Sequence, residues 1–129
     1  MAGLLLDTCT FIWLTADPRS LSRKASKAID AATLALYLSG ASVWEICLKW
    51  KAGKLELPLP PRRWIEEQVN RWQLDVLPLN SDHFYATTEL VDLHRDPFDR
   101  LIVTQAISEA LTVVTPDAAI AAYPVGTLW

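Results

Sequence analysis

The chain predicts an α/β/α sandwich, three layers with a mostly parallel central sheet. Three observations carry this. Leu4–Leu6 and Leu34–Leu38 are short apolar runs that read as buried strands, and Leu111–Thr115 is a β-branched one. Helical stretches lie between them. Acidic residues recur where a strand hands over to a helix, the edge on which such folds place their active sites.

In chain order, Leu4-Leu5-Leu6 ends at Asp7, and a short helix over Thr8–Thr15 is stopped by Asp17-Pro18. Ser20 opens a helical stretch to about Ala32, with Leu21, Ala25, Ala28 and Ile29 on one face. The strand Leu34–Leu38 leads to a helix that starts at Ser42 and stops at Gly53. Leu57–Pro61 is a proline-rich loop, and Pro61 suits the first turn of a helix running to about Trp72. Asp75–Leu79 reads as a strand at the sheet's edge because of Pro78. Helices follow at Ser81–Leu93 and Pro97–Ala110, then the strand Leu111–Thr115, a short helix Asp117–Ala122 and a last strand Val125–Leu128.

The 129 residues fit a single domain, 1–129, able to bury its own core. With 51% apolar and 21% charged residues, the composition is that of a globular protein. Cys9 and Cys47 lack the spacing of a disulfide framework or zinc site and read as reduced core residues. The start, Met1-Ala2-Gly3-Leu4, has no basic segment and does not read as a signal peptide. No apolar run approaches the roughly 20 residues of a membrane span. The expectation is a soluble, cytoplasmic protein. Its net charge of −3 argues against a protein that coats nucleic acid. A nuclease that grips phosphate through metal ions remains compatible, since its ligands add negative charge.

Asp7, Glu45, Asp96, Asp99 and Asp117 all fall at strand ends or in first helical turns. Each has a structural explanation. Ser42-Val43-Trp44-Glu45 has the form of a capping box. Asp96-Pro97 is an N-cap followed by proline at the first helical position, with Asp99 two residues on, where a carboxylate suits the helix dipole. Asp7 and Asp117 also suit N-caps. Their joint occurrence on one sheet edge is harder to explain structurally. Two unit charges about 4 Å apart repel by roughly 4 kcal/mol at an effective dielectric near 20. Several such pairs rival the whole stability of a small domain, roughly 5–15 kcal/mol. A hard divalent cation bound through oxygen offsets that repulsion. Magnesium or manganese held this way serves phosphodiester hydrolysis. The two histidines lie beside no nucleophile motif: His83 reads as surface or helix start, and His94 as a partner of the loop before Asp96.

Four motifs occur in order: Leu4-Leu5-Leu6-Asp7-Thr8, Ser42-Val43-Trp44-Glu45-Ile46, His94-Arg95-Asp96-Pro97-Phe98-Asp99-Arg100-Leu101-Ile102 and Val114-Thr115-Pro116-Asp117. Together they resemble the PIN-domain family, and within it the VapC-type toxins of type II toxin–antitoxin modules. The likeness extends over Gly53-Lys54-Leu55 and the closing Val125–Trp129, so it covers nearly the whole chain. The His-x-Asp-Pro-Phe-Asp-Arg stretch is its most specific part. The resemblance implies a Mg2+- or Mn2+-dependent endoribonuclease that forms a homodimer and is blocked by a cognate antitoxin. It places the core acids, catalytic and metal-binding, at Asp7, Glu45, Asp99 and Asp117. Asp96 is then an N-cap with a water on the metal as a secondary contact. For Thr8 and Thr115 two readings stand side by side: orienting an acid or a water on the metal, or simply ending a strand.

Lys49 and Lys54 are the candidate RNA contacts, with Lys51, Arg62 and Arg63 nearby. Lys49 lies one helical turn from Glu45. Arg100 reads as half of a structural salt bridge. Trp50, Trp64 and Trp72 share the basic segment, where an antitoxin helix or a second copy would find an apolar groove. Two alternatives stand against the nuclease. One is a phosphohydrolase with Asp7 as nucleophile, although Cys9 occupies the place where the dehalogenase-like version needs a second acid. The other is a non-catalytic binding module of the same fold, against which the retention of all four acids counts.

Overall fold

The computed structural model describes residues 3–31 and 33–129. Among these, five parallel strands form one sheet in the order β3-β2-β1-β4-β5: β1 (Leu4–Leu6), β2 (Leu36–Ser39), β3 (Leu74–Leu77), β4 (Thr112–Val114) and β5 (Thr127–Leu128). The helices are α1 (Thr8–Ala16), α2 (Arg23–Asp30), α3 (Gly40–Lys51), α4 (Pro61–Arg71), α5 (Ser81–Thr87), α6 (Pro97–Glu109) and α7 (Ala118–Ala121). From β1 the chain steps outward through β2 to β3, then returns to the other side of β1 as β4. The order therefore reverses between β1 and β4, and a crevice opens there at the carboxyl ends of the strands.

Side chains alternate across the sheet and build a core on each face. Leu4, Leu6, Leu36, Leu38 and Val114 pack with Phe11, Leu14, Ile29, Ile46, Trp64 and Ile65. Leu5 and Val113 pack on the other side with Ile102, Val103, Ala106, Ile120 and Tyr123. At Gly3 the chain runs so close to its neighbour that an added Cβ would meet the Ala35 carbonyl oxygen at 2.4 Å. Gly53, at φ +75°, supplies the left-handed turn that stops α3.

Several boundaries differ from expectation for local reasons. The second helix starts at Arg23 with Ser22 as its N-cap, and Pro18–Ser20 forms a separate 3-10 turn; the expected end at Ala32 lies outside the described residues. Strand β2 begins two residues later than expected and runs through Ser39, which caps α3 by accepting from Ala41 N–H. Ser42 is therefore inside that helix and caps nothing, so the expected capping box with Glu45 does not form. Helix α5 stops at Thr87 rather than Leu93. The guanidinium of Arg100 takes the freed carbonyls of Thr87 and Val91, at 2.7 and 3.3 Å. His83, expected at the surface or a helix start, is buried at the third position of α5, in a reciprocal capping box with Asn80. Strand β3 is an edge strand, as Pro78 suggested, but spans Leu74–Leu77. Among the described residues no helix is long and apolar enough to cross a membrane.

Candidate active site

Four chain segments deliver carboxylates to the crevice. Asp7 ends β1 and caps α1, accepting from Thr10 N–H at 2.9 Å. Glu45 lies in the second turn of α3. Asp96 caps α6 through Phe98 N–H, with Asp99 in its first turn. Asp117 follows β4 and caps α7. A cleft of about 260 Å³ is lined by Asp7, Thr8, Glu45, Asp96, Asp99 and Asp117, together with Cys9, Ile12 and Lys49. Other clefts rival it in size. One of about 330 Å³ sits where β2 and β3 begin, but its charged lining is only Asp30, Arg71 and Asp75. Size therefore does not single out the acidic cleft; its concentration of like charge does.

The deepest acids are well supplied with donors. Asp7, only 3% exposed, receives Thr10 N–H on Oδ1, the Cys9 thiol at 3.3 Å and the Thr115 hydroxyl on Oδ2. Glu45, 5% exposed, receives Thr8 Oγ1–H at 2.6 Å on Oε1 and the Lys49 ammonium at 2.6 Å on Oε2. The hydroxyl of Ser42 lies 2.8 Å from Thr8 Oγ1. A carboxylate can only accept, so the single Thr8 proton goes to Glu45 and Ser42 donates to Thr8. The Lys49 ammonium is held more firmly charged than usual, chiefly by its hydrogen bond to Glu45.

Asp99 is the least satisfied acid. It is pushed up to about 7, first by burial and then by Asp96, while His94 pulls it back. His94 Nε2 lies 2.9 Å from Asp99 Oδ2 and 3.2 Å from Asp117 Oδ2. Sequence reading tied His94 to the loop before Asp96. It does accept Asp96 N–H on Nδ1, but its other nitrogen enters the acid cluster, which spacing along the chain could not reveal. Cys9 is not a core residue: both cysteines are half-buried free thiols, and Cys9 faces the cleft. Burial, then the charge of Asp7, pushes its thiol up to about 12.

The basic and aromatic residues divide. Lys49 reaches the cleft; Lys54 is exposed and does not line it. Arg62 lies in a separate groove with Val43, Cys47 and Ile65, and Arg63 makes only an exposed 4.0 Å pair with Glu67. Arg100 does not pair with Asp99. It binds loop carbonyls, the Tyr123 hydroxyl at 3.1 Å and the exposed Asp92 at 3.5 Å. Trp64 is core, edge-on to Phe11 at 5.5 Å, so Trp50, Trp64 and Trp72 do not together line a groove. Trp44, the residue before Glu45, is exposed and stands edge-on to Phe98 at 5.6 Å.

The donor set suits a hard divalent cation: carboxylate oxygens from separate segments, with spare lone pairs on Glu45, Asp99 and Asp117. The arrangement defines an α/β/α domain with a carboxylate-lined, cation-attracting cleft at the switch point of a parallel sheet. The chain belongs to the PIN domain family, whose model matches residues 4–125. It is 28% identical over 120 residues to Ribonuclease VapC22 of Mycobacterium tuberculosis, an alignment covering 91% of this chain and 88% of the relative. Among solved structures it resembles a chain of the DNA-bound VapBC2 complex of Rickettsia felis, with a TM-score of 0.72, 16% identity and 96% of each chain covered. It also resembles a chain of the DNA-bound VapBC complex of Salmonella typhimurium, with a TM-score of 0.69, 20% identity and coverage of 98% of this chain and 97% of the other. At these identities the structural matches establish the fold.

Proposed function

We propose that the chain is a divalent-metal-dependent endoribonuclease and the toxin half of a toxin–antitoxin pair. The observation that carries this reading is the convergence of Asp7, Glu45, Asp99 and Asp117, from four segments, on one cleft of a PIN domain. Its nearness to a VapC ribonuclease supports RNA as the substrate, and its likeness to chains of VapBC complexes supports an antitoxin partner. A homodimer and a cytoplasmic location belong to the same reading.

These four acids would hold Mg2+ or Mn2+. When bound, such an ion lowers the pKa of a coordinated water and stabilises charge on a phosphodiester. The chain's own residues do the rest. Thr115, Thr10 and Cys9 fix Asp7 so that it keeps one orientation toward the cleft. The Ser42–Thr8 pair does the same for Glu45. Lys49 is 50% exposed, so its ammonium can turn from Glu45 to an RNA phosphate as substrate arrives. Lys54, further out, serves the phosphate chain beyond the cleft. Asp96 also lines the cleft, but its Oδ1 is occupied as a cap.

The test is cleavage of total cellular RNA by the purified chain with Mg2+, Mn2+ or EDTA, beside Asp7→Asn. Discrete metal-dependent fragments, absent with the variant, are expected. Tight partner binding with no cleavage under either metal would replace the nuclease with a binding module.

A further inference from the structure

His94 sits where the loop preceding α6 meets the cleft, and its surroundings determine which nitrogen carries the proton. Asp96 N–H points at Nδ1 at 3.2 Å. A backbone amide can only donate, so Nδ1 must present its lone pair. In the neutral ring the proton then lies on Nε2, the nitrogen that faces Asp99 Oδ2 at 2.9 Å and Asp117 Oδ2 at 3.2 Å. The hydrogen bond runs to Asp117, while Asp99 Oδ2 stands against the same nitrogen as a close polar contact. These ligand-type atoms lie within 4.8 Å of one another, a spacing that a metal with a histidine ligand would also give. The tautomer argues against that alternative, because a protonated Nε2 has no lone pair for a metal.

The backbone that carries the ring is itself held. Tyr123 Oη accepts Leu93 N–H at 3.2 Å and His94 N–H at 2.9 Å, and Arg100 donates to the His94 carbonyl at 3.3 Å. Asp117 Oδ1 is engaged by Ala119 N–H at 2.8 Å. With His94 on Oδ2, Asp117 has one orientation. Asp99 has its Oδ2 turned to His94, which leaves Oδ1 for the cleft.

We propose that His94 is a positioning residue: its Nε2–H binds Asp117 and stands against Asp99, and so sets which of their oxygens face a bound divalent cation. This rests on the reading of the acids as cation ligands. Without His94, two like charges lie side by side with nothing between them, and Asp117 keeps only the Ala119 N–H to orient it. Partners that orient metal ligands are commonly worth about 10–100-fold in metal affinity. Glutamine can place an amide N–H close to where Nε2–H stands; leucine fills similar volume without a donor.

The experiment has two parts. Long-range 15N–1H NMR of the metal-free wild-type chain should show the His94 proton on Nε2 and a bare Nδ1; a protonated Nδ1 would overturn the proposal. Mn2+ titration by calorimetry should show His94→Leu binding about 10–100-fold more weakly than wild type. His94→Gln should recover most of that loss. Equal affinity in wild type and His94→Leu, or an equal loss in both variants with melting temperatures unchanged, would also overturn it. Failure of the wild type itself to bind Mn2+ would instead remove the metal-dependent reading on which the proposal stands.

Discussion

Thr8 Oγ1 stands 2.6 Å from Glu45 Oε1, a hydroxyl at the start of α1 meeting a carboxylate 37 residues away on α3. Both residues are buried, and Ser42 completes the line at 2.8 Å. Thr8→Val keeps the shape and removes the hydroxyl. Ser42 then has no acceptor at that point, and Glu45 keeps only Lys49. Leaving such buried groups unsatisfied costs about 1–3 kcal/mol. Urea unfolding of Thr8→Val should show that loss, and RNA cleavage should slow because Glu45 is no longer fixed. Wild-type stability in Thr8→Val would mean that water replaces the hydroxyl.

Asp99 gives the metal-free protein a pH-dependent stability. Its carboxyl is pushed up to about 7 in the folded chain, against an ordinary 3.8. The folded state therefore binds the proton more tightly than the unfolded one. This contribution is fully present below about pH 4, falls as the pH rises toward 7 and is gone above it. In EDTA, melting temperatures should decline across that window. Asp99→Asn should flatten the decline and raise the melting temperature near pH 8, while abolishing cleavage. Unchanged cleavage in Asp99→Asn would remove Asp99 from the catalytic set.

Much of this was legible along the chain. Asp96-Pro97 is a local signal, and it caps α6 as read. Leu4-Leu5-Leu6-Asp7 is equally local, and Asp7 ends the strand it was expected to end. Glu45 was placed in the cleft set by resemblance, while its own neighbourhood suggested a capping box. That box fails because β2 runs on through Ser39, paired with Leu77 of β3, and Ser39 rather than Ser42 then caps α3. The missed partners, His94 to Asp117 and Cys9 to Asp7, depend on side-chain direction at the switch point. Spacing along the chain carries no record of that. Arg100 does form a salt bridge, with the exposed Asp92, but its other partners, the carbonyls of the loop it closes, were equally invisible along the chain.

Asp96 separates capping from catalysis. Its Oδ1 accepts Phe98 N–H at 2.8 Å and Asp99 N–H at 3.4 Å. Asp96→Ala should cost about 0.5–2 kcal/mol as a lost N-cap, and Asp96→Asn should restore most of it. Cleavage should fall only partly in Asp96→Ala, since Asp7, Glu45, Asp99 and Asp117 remain. Complete loss of Mn2+ binding in Asp96→Ala would make Asp96 a direct ligand.

Cys9 reports on the charge of the cleft. Thiolate is the reactive form of cysteine, and burial together with Asp7 pushes the Cys9 thiol up to about 12. At pH 8 almost none of it is ionised, so iodoacetamide should label Cys9 very slowly in the folded, metal-free chain. Asp7→Asn removes the opposing charge while burial, the larger cause, remains. Labelling of Cys9 should therefore quicken in Asp7→Asn but stay well below that of the urea-unfolded chain. Mass spectrometry of the tryptic peptide carrying Cys9 reads all three rates. Equal labelling in wild type and Asp7→Asn would show that the Asp7 charge does not reach the thiol.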